Sequence, residues 1–382
     1  MRIGIDARIL QNERRGQGQY LYYLIKNLLK IDRRNEYVIF YNSFKRGKFV
    51  FEDTFLNLKQ VWCRIPGRML KPLWSGFDFP PIESLVGDIQ LFHSPFNFNF
   101  THYTPIPSKA KMVVTFNGMA DPSTIWEHYD LQKINRWFRL VAQRAAMVIA
   151  VSDSVKADLL SRVDIPDNKI KVVYYGVSEE FKLIEDKARL EPVLSKYGLR
   201  GKRYILYVGA AEKNKNLSGL LKAFSRICDT VDLNNLYLVL AGKINEVYRN
   251  LMEESRQLGI RQKVIFTDYI GHEFLPFIYN GAELFVLPTF NEWFGIPLLE
   301  AMACGTAVAA SNCRGIPEVV NDAALLFNPD DIEEMVSVMG SILRNKELQL
   351  NLRQKGLRRV ENFTWEKTAQ RTLEIYLEAI NK

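Results

Sequence analysis

The stretch Leu284-Phe285-Val286-Leu287-Pro288-Thr289-Phe290-Asn291-Glu292-Trp293-Phe294-Gly295-Ile296-Pro297-Leu298-Leu299-Glu300-Ala301-Met302-Ala303-Cys304-Gly305-Thr306-Ala307-Val308-Ala309-Ala310-Ser311 reads as strand, loop, helix and strand. Leu284 to Leu287 is a continuous apolar run of buried-strand length, and Pro288 to Asn291 breaks it. Gly295 and Pro297 open a short helix, since proline is preorganised for the first helical turn. Gly305 closes that helix, and Thr306 to Ala310 is the next buried strand. The helix start carries the chemistry. Its unbonded N–H groups and the positive end of its dipole attract an anion. Gly295 has no side chain to obstruct a phosphate approaching the backbone. Glu300 lies one turn beyond Ile296, about 6 Å deeper at the rise of an α-helix, which matches the separation of a diphosphate from the ribose of its own nucleotide. Glu292 sits on the loop, on the other side of the phosphate position. One helix tip between two carboxylates can hold a diphosphate while each carboxylate accepts hydrogen bonds from sugar hydroxyls. A surface helix with two solvated glutamates fits the same residues.

Glu292 and Glu300, followed by Ala301-Met302-Ala303-Cys304-Gly305 and then Pro317-Glu318-Val319, resemble the signature of the family-4 retaining glycosyltransferases with a GT-B fold. The resemblance extends over essentially the whole chain. It implies that Glu292 contacts the hydroxyls of the donor sugar and that Glu300 holds the nucleotide ribose, with Phe294, Gly295 and Ile296 forming the donor-binding tip between them.

A length of 382 residues suggests two or three domains, and the 47% hydrophobic and 25% charged composition is ordinary for a soluble globular protein. The cysteines at 63, 228, 304 and 313 show no Cys-x-x-Cys spacing, and with only four histidines a zinc site is not expected. A reduced cytosolic protein is the simplest reading. Met1 to Asp6 starts directly as a strand, so no signal peptide is expected, and no apolar run approaches the ~20 residues that span a bilayer. The net charge of +8 is concentrated at the N-terminus: residues 1–75 hold 15 Lys/Arg against 6 Asp/Glu. Its clusters are Arg14-Arg15, Arg33-Arg34, Lys45-Arg46-Lys48 and Arg64, Arg68, Lys71. The last is interleaved with Met69, Leu70, Leu73 and Trp74, a combination that suits an anionic membrane surface. The competing reading, placed a little behind it, is a solvated face over a buried Trp74. No nucleic-acid reader motif accompanies the charge.

From the N-terminus, residues 3–6 form a strand and Gly16-Gln17-Gly18-Gln19-Tyr20 opens a helix to about Lys30. Glycines there let a loop approach a ligand. This is not the dinucleotide fingerprint, because Leu21 occupies the third glycine position, and a dehydrogenase is thereby disfavoured. It resembles the family's loop over the donor phosphates and sugar. Tyr37 to Tyr41, Ile89 to Phe92 and Met112 to Phe116 are further strands, the last ending in Asn117-Gly118 where the family usually has His-Asp beside the donor sugar. Asparagine hydrogen-bonds a hydroxyl but carries no proton. His93 and His128 are candidate substitutes, each more readily read as structural. Arg139 to Val148 is a helix, Val148 to Val151 a strand, Ser152 a helix cap, and Lys171 to Tyr174 the last strand of this half.

After a charged linker at about 178–200 the pattern restarts. Tyr204 to Gly209 is a strand, and the basic loop from Ala210 to Asn216 at its carboxyl end suits phosphate. The family commonly has an arginine just after the glycine and a lysine five residues on; this chain has Ala210 and Lys215, with Lys213 or Lys243 as electrostatic compensation. Leu236 to Ala241 ends in Gly242-Lys243, which is family-like. Val264 to Thr267 precedes Asp268-Tyr269-Ile270, where relatives bind the nucleotide base through backbone groups. Asp322 to Pro329 is a final strand and turn, and 330–344 and 346–360 are amphipathic helices.

These features predict an α/β protein of the GT-B type: two Rossmann-like parallel-sheet domains facing across a cleft, an acceptor domain over 1–178 and a donor domain over 179–364, with a helix over 365–382 that crosses back to the first domain. The predicted activity moves mannose, rhamnose or glucose from a nucleotide diphosphate sugar to a glycan or lipid-linked acceptor in cell-surface polysaccharide synthesis. It needs no cofactor and no metal, and it takes place in the cytoplasm, with peripheral contact at the membrane's inner face. Catalytic candidates are Glu292, Lys215 and Asn117. Donor-binding candidates are Gly16, Gly18, Gly209, Lys215, Gly242, Lys243, Tyr269, Ile270, Glu292, Phe294, Gly295, Ile296 and Glu300. The departures at Asn117, Gly118 and Ala210 leave a non-catalytic nucleotide-sugar-binding partner as the alternative, followed by a sugar-nucleotide epimerase.

Overall fold

The computed structural model describes residues 1–11, 16–43, 51, 55–96, 104–118, 131–229 and 235–382. The basic residues Arg14, Arg15, Lys45, Arg46 and Lys48, together with His128, lie outside them. The chain divides into two compact units, Met1–Gly176 with Trp365–Lys382, and Val177–Thr364.

In the first unit the order is β1 (Arg2–Asp6), α1 (Gln17–Ile31), β2 (Glu36–Asn42), β3 (Leu58–Cys63), α2 (Gly67–Gly76), α3 (Glu83–Val86), β4 (Leu91–Phe96), β5 (Lys111–Phe116), α4 (Leu131–Arg144), β6 (Met147–Ala150), α5 (Asp153–Arg162) and β7 (Ile170–Val172). The second unit contains α6 (Glu191–Lys196), β8 (Arg203–Val208), α7 (Leu217–Cys228), β9 (Leu236–Ala241), α8 (Glu246–Gln257), β10 (Val264–Asp268), α9 (Leu275–Gly281), β11 (Leu284–Leu287), α10 (Ile296–Ala303), β12 (Ala307–Ser311), α11 (Ile316–Val320), β13 (Ala324–Phe327), α12 (Ile332–Arg344) and α13 (Lys346–Val360). The chain then returns to the first unit as α14 (Trp365–Asn381), which packs on α1.

Both sheets are wholly parallel, ordered β3-β2-β1-β4-β5-β6-β7 and β10-β9-β8-β11-β12-β13. This is the doubly wound α/β architecture that the alternation of strands and helices predicts. Strands covered by helices on both faces need apolar side chains on both, so β6, β11 and β12 are buried at every position rather than alternately. Helices α5, α8, α12 and α13 start where a polar side chain satisfies one of the first amides: Val155 N–H donates to Ser152 Oγ at 3.2 Å and Tyr248 N–H to Asn245 Oδ1 at 3.0 Å. Gly305, at φ +67°, ends α10 in the left-handed conformation that releases the chain into β12.

Several boundaries differ from the sequence reading. Edge strand β3, helices α2 and α3, and helix α6 within the charged linker escape it. Strand β4 continues through His93, Ser94 and Pro95, past the predicted end at Phe92. Gly18 lies inside the first turn of α1; only Gly16, at φ +48°, belongs to the loop. No helix of the described residues is long and apolar enough to cross a membrane.

Candidate active site

The second sheet reverses its winding between β8 and β11. From β8 the chain proceeds outward through β9 to β10, and from β11 it proceeds the other way. Loops leaving the carboxyl ends of two such neighbours diverge and open a crevice, which is where open α/β sheets bind ligands. The loop after β8 carries Gly209 and Lys215; the loop after β11 carries Glu292 and Gly295. The sequence motifs therefore converge on one switch point although some 80 residues separate their starts.

Lys215 closes a 3-10 turn, Lys213–Lys215, whose last N–H donates to the Glu212 carbonyl at 3.0 Å. Its Nζ lies 2.9 Å from Glu292 Oε2, and the two side chains are only 19% and 22% exposed. Burial on its own would push the Lys215 pKa down, but the Glu292 carboxylate outweighs it and the net shift is upward, so Lys215 is a fixed cation through neutral pH. An ammonium has three donors, and one given to Glu292 leaves two for a ligand.

Gly295 caps α10 at φ +87°, a conformation costly for any residue with a Cβ, and a Cβ there would come within 2.7 Å of Leu298 Cδ1. Pro297 has no N–H, and the Leu298 N–H is taken by the Gly295 carbonyl at 2.9 Å. The amides of Gly295 and Ile296 are the donors the tip can present. Phe294 and Ile296 are buried at 2% and 8% exposure and anchor the tip. Glu300, one turn further, is buried and accepts a hydrogen bond from the Tyr279 hydroxyl at 2.9 Å. Burial and the neighbouring Glu300 carboxylate push the Tyr279 phenol far above its ordinary pKa, so it stays a donor.

The neighbouring strand ends complete the edge. Gly242 packs against the Gly209 backbone so closely that a Cβ would lie 2.0 Å from the Gly209 carbonyl oxygen, so any side chain there would wedge the two loops apart. Lys243 and Tyr269 are exposed and Ile270 is buried beside them. Lys213 points to solvent, as a loop charge would. No group of three or more His, Cys, Asp or Glu among the described residues is placed to hold a metal ion.

The first unit has its own switch point, between β1 and β4. Asn117 follows β5 and is buried, its Oδ1 accepting from the Tyr175 hydroxyl. His93 does not stand in for the family's histidine. It is fully buried, with Nδ1 2.6 Å from the Tyr376 hydroxyl and Nε2 2.8 Å from the Thr115 hydroxyl. Burial lowers its pKa to about 3 despite the opposing charge of Asp6, so it is a neutral structural link between α14 and the sheet. Trp74 is also structural: it is 1% exposed, its indole N–H donates to the Pro80 carbonyl at 2.9 Å, and the Arg8 guanidinium lies 4.9 Å from its ring. The exposed apolar residues of that region are Met69, Phe77 and Phe79. Tyr279, Tyr175 and Thr289, whose hydroxyls hold the candidate residues in place, were missed by sequence reasoning: the two tyrosines lie in no motif, and Thr289 reads only as part of the break after the strand.

Two family models cover most of the chain: one described as Glycosyl transferases group 1 matches residues 194–359, and one described as Glycosyltransferase Family 4 matches residues 14–181. O-antigen chain mannosyltransferase B of Escherichia coli is 31% identical over 236 residues, or 61% of this chain, and the match spans 60% of that relative's length. Sucrose-phosphate synthase from Thermosynechococcus elongatus shares the fold at a TM-score of 0.78, with 19% identity over 99% of this chain and 98% of that one. Anabaena Alr3699/HepE, solved with UDP and glucose, also reaches 0.78, with 15% identity over 99% of this chain and 100% of that one.

Proposed function

Since this chain belongs to the family-4 glycosyltransferases with a GT-B fold, we propose that it transfers a hexose, mannose in the first instance, from a nucleotide diphosphate sugar to a glycan or lipid-linked acceptor in surface-polysaccharide synthesis, retaining the anomeric configuration. The observation that carries this reading is the Lys215–Glu292 pair, at 2.9 Å, beside the glycine-capped tip of α10 at the sheet's switch point. When the bond from the sugar to the diphosphate breaks, negative charge grows on the leaving phosphate. A held ammonium and oriented backbone amides stabilise that charge without reorganising, which is the principal lever when no carboxylate acts as nucleophile. The same positive groups supply charge of the kind a metal brings to a diphosphate, which supports a metal-independent reading. Glu292 receives hydroxyls of the sugar and Glu300 those of the ribose. The mannosyl assignment is supported by what the Escherichia coli relative is named for, and the nucleotide diphosphate by the UDP in the Anabaena structure.

Contact with an anionic membrane surface fits the exposed Arg64, Arg68 and Lys71 with Met69, Phe77 and Phe79 near them in sequence. The test of the activity is incubation with GDP-, UDP- and dTDP-hexoses, lipid-linked and polysaccharide acceptors, and EDTA, with products read by NMR. A new glycosidic linkage of the donor's own anomeric configuration supports transfer with retention; inversion or an acceptor-independent epimer refutes it. Asn117, unable to carry a proton, favours one second reading, a nucleotide-sugar-binding partner, which tight binding without turnover in every pairing would select.

A further inference from the structure

Thr289 follows Pro288 on the loop leaving β11 and is fully buried. Its hydroxyl lies 2.9 Å from the carbonyl oxygens of both Asn214 and Asn291, and the Asn291 N–H donates back to it at 3.3 Å. The Phe290 N–H donates to the same Asn214 carbonyl at 2.8 Å. Asn214 immediately precedes Lys215, and Asn291 immediately precedes Glu292. The two loops carrying the halves of the ion pair are thus joined one residue before Lys215 and two to three residues before Glu292, with the Thr289–Asn291 contacts fixing the span between. The far side of the β11 loop is held as well, with the Cys313 thiol 3.4 Å from the Thr289 carbonyl and the Gly315 N–H 3.1 Å from the Glu292 carbonyl.

We propose that Thr289 is a positioning residue: its hydroxyl locks the loop after β8 to the loop after β11, and this lock sets Lys215 and Glu292 in register to receive a diphosphate. The lock needs no ligand; its consequence for binding rests on the transferase reading above. A lysine side chain is highly mobile, and ordering it opposes binding. A backbone fixed one residue away, with a carboxylate at 2.9 Å, removes part of that cost before the ligand arrives. Valine would keep the shape of threonine but leave the Asn291 N–H and the Asn291 carbonyl without the hydroxyl, in a buried site. Serine would keep the hydroxyl.

The experiment compares the full chain with Thr289→Val and Thr289→Ser. Without ligand, reductive methylation of Lys215 is followed by mass spectrometry against the exposed Lys213 as internal reference. Calorimetry then gives Kd for UDP and GDP. Thr289→Val should raise Lys215 reactivity several-fold and weaken the bound nucleotide by about tenfold, the effect of one hydrogen bond, while Thr289→Ser stays close to wild type in both. Combined with Lys215→Met, Thr289→Val should add little further loss, because it acts through Lys215. Unchanged Lys215 reactivity in Thr289→Val, full additivity with Lys215→Met, or a serine variant behaving like valine would each overturn the proposal. If wild type binds neither nucleotide while the reactivities move as expected, the lock stands and the diphosphate reading falls. Should Thr289→Val not fold, Thr289→Ala carries the same arms.

Discussion

Lys215→Met is the substitution on which the diphosphate site turns. The lysine is mostly buried and 2.9 Å from Glu292, so methionine removes a cation and leaves an anion facing the place where the phosphates would sit. Two unit charges 4 Å apart at an effective dielectric constant of about 20 interact by about 4 kcal/mol. A hydrogen bond to a charged group contributes about 1.5–3 kcal/mol net. Partial solvation of both side chains and the mobility of the lysine reduce the sum, so the expected loss is about 2–4 kcal/mol, or roughly 30- to 1,000-fold in Kd for a nucleoside diphosphate. Part of that loss is repulsion by the orphaned Glu292. The double variant Lys215→Met/Glu292→Gln should therefore recover about tenfold relative to the single one. Titration calorimetry with UDP and GDP measures this, with thermal unfolding as the control for folding. A Kd for Lys215→Met within about twofold of wild type, for a nucleotide that wild type binds, would refute the argument, since a displaced unit charge cannot cost so little at this separation.

Glu300→Ala should weaken nucleotide binding by about tenfold through two lost hydroxyl contacts, and calorimetry showing unchanged affinity rejects its ribose role. His93 is held neutral down to about pH 3, whereas its ordinary value is 6.5; between those values the unfolded chain binds a proton that the folded chain refuses, so stability falls as pH drops, by up to about 1.4 kcal/mol per unit. Urea unfolding at pH 7 and pH 5 should show a smaller acid loss for His93→Gln than for wild type, and parallel losses would contradict the burial argument. Neutralising Arg68 and Lys71 should release about 2 kcal/mol of attraction to anionic vesicles, at ~1 kcal/mol per basic residue; a variant that still sediments fully with them argues against membrane contact through this helix.

The fold was legible because a doubly wound sheet writes itself locally. Buried parallel strands such as β11 and β12 are uninterrupted apolar runs, and the intervening helices announce themselves by spacing and caps. Strand β3 failed that test because Leu58-Lys59-Gln60-Val61-Trp62-Cys63 is an edge strand with no buried position among its six. Strand β4 was cut short at Phe92 because His93 and Ser94 look like loop residues. They are tolerated inside the sheet by partners at Tyr376, Thr115 and Thr104, the first 283 residues away. The site divides the same way. Gly295, Pro297 and Glu300 are readable because a helix tip is a local object. The Tyr279 hydroxyl on Glu300 and the Thr289 hydroxyl on Asn214 are products of packing, and no spacing rule reports them.

The two switch points, taken each by itself, also differ in a way that bears on what each can bind. In the first unit the polar groups near the edge are satisfied by one another: Arg8 meets Asp6 in two contacts of 2.8 and 2.7 Å, His93 is held at both nitrogens, and Asn117 accepts from Tyr175. Its buried cation is neutralised and its imidazole uncharged, so among the described residues this edge offers neutral hydrogen bonding, which suits hydroxyl groups better than phosphate. In the second unit the lysine keeps donors to spare, and the helix tip adds amides and dipole that no carboxylate among the described residues consumes. Glu292 balances Lys215 in the resting site and, being an acceptor only, can turn to sugar hydroxyls once phosphate takes over the ammonium. On the transferase proposal a dianionic leaving group would therefore find its complement in the second sheet, and the Lys215–Glu292 pair would resolve, on binding, into one contact to the phosphate and one to the sugar.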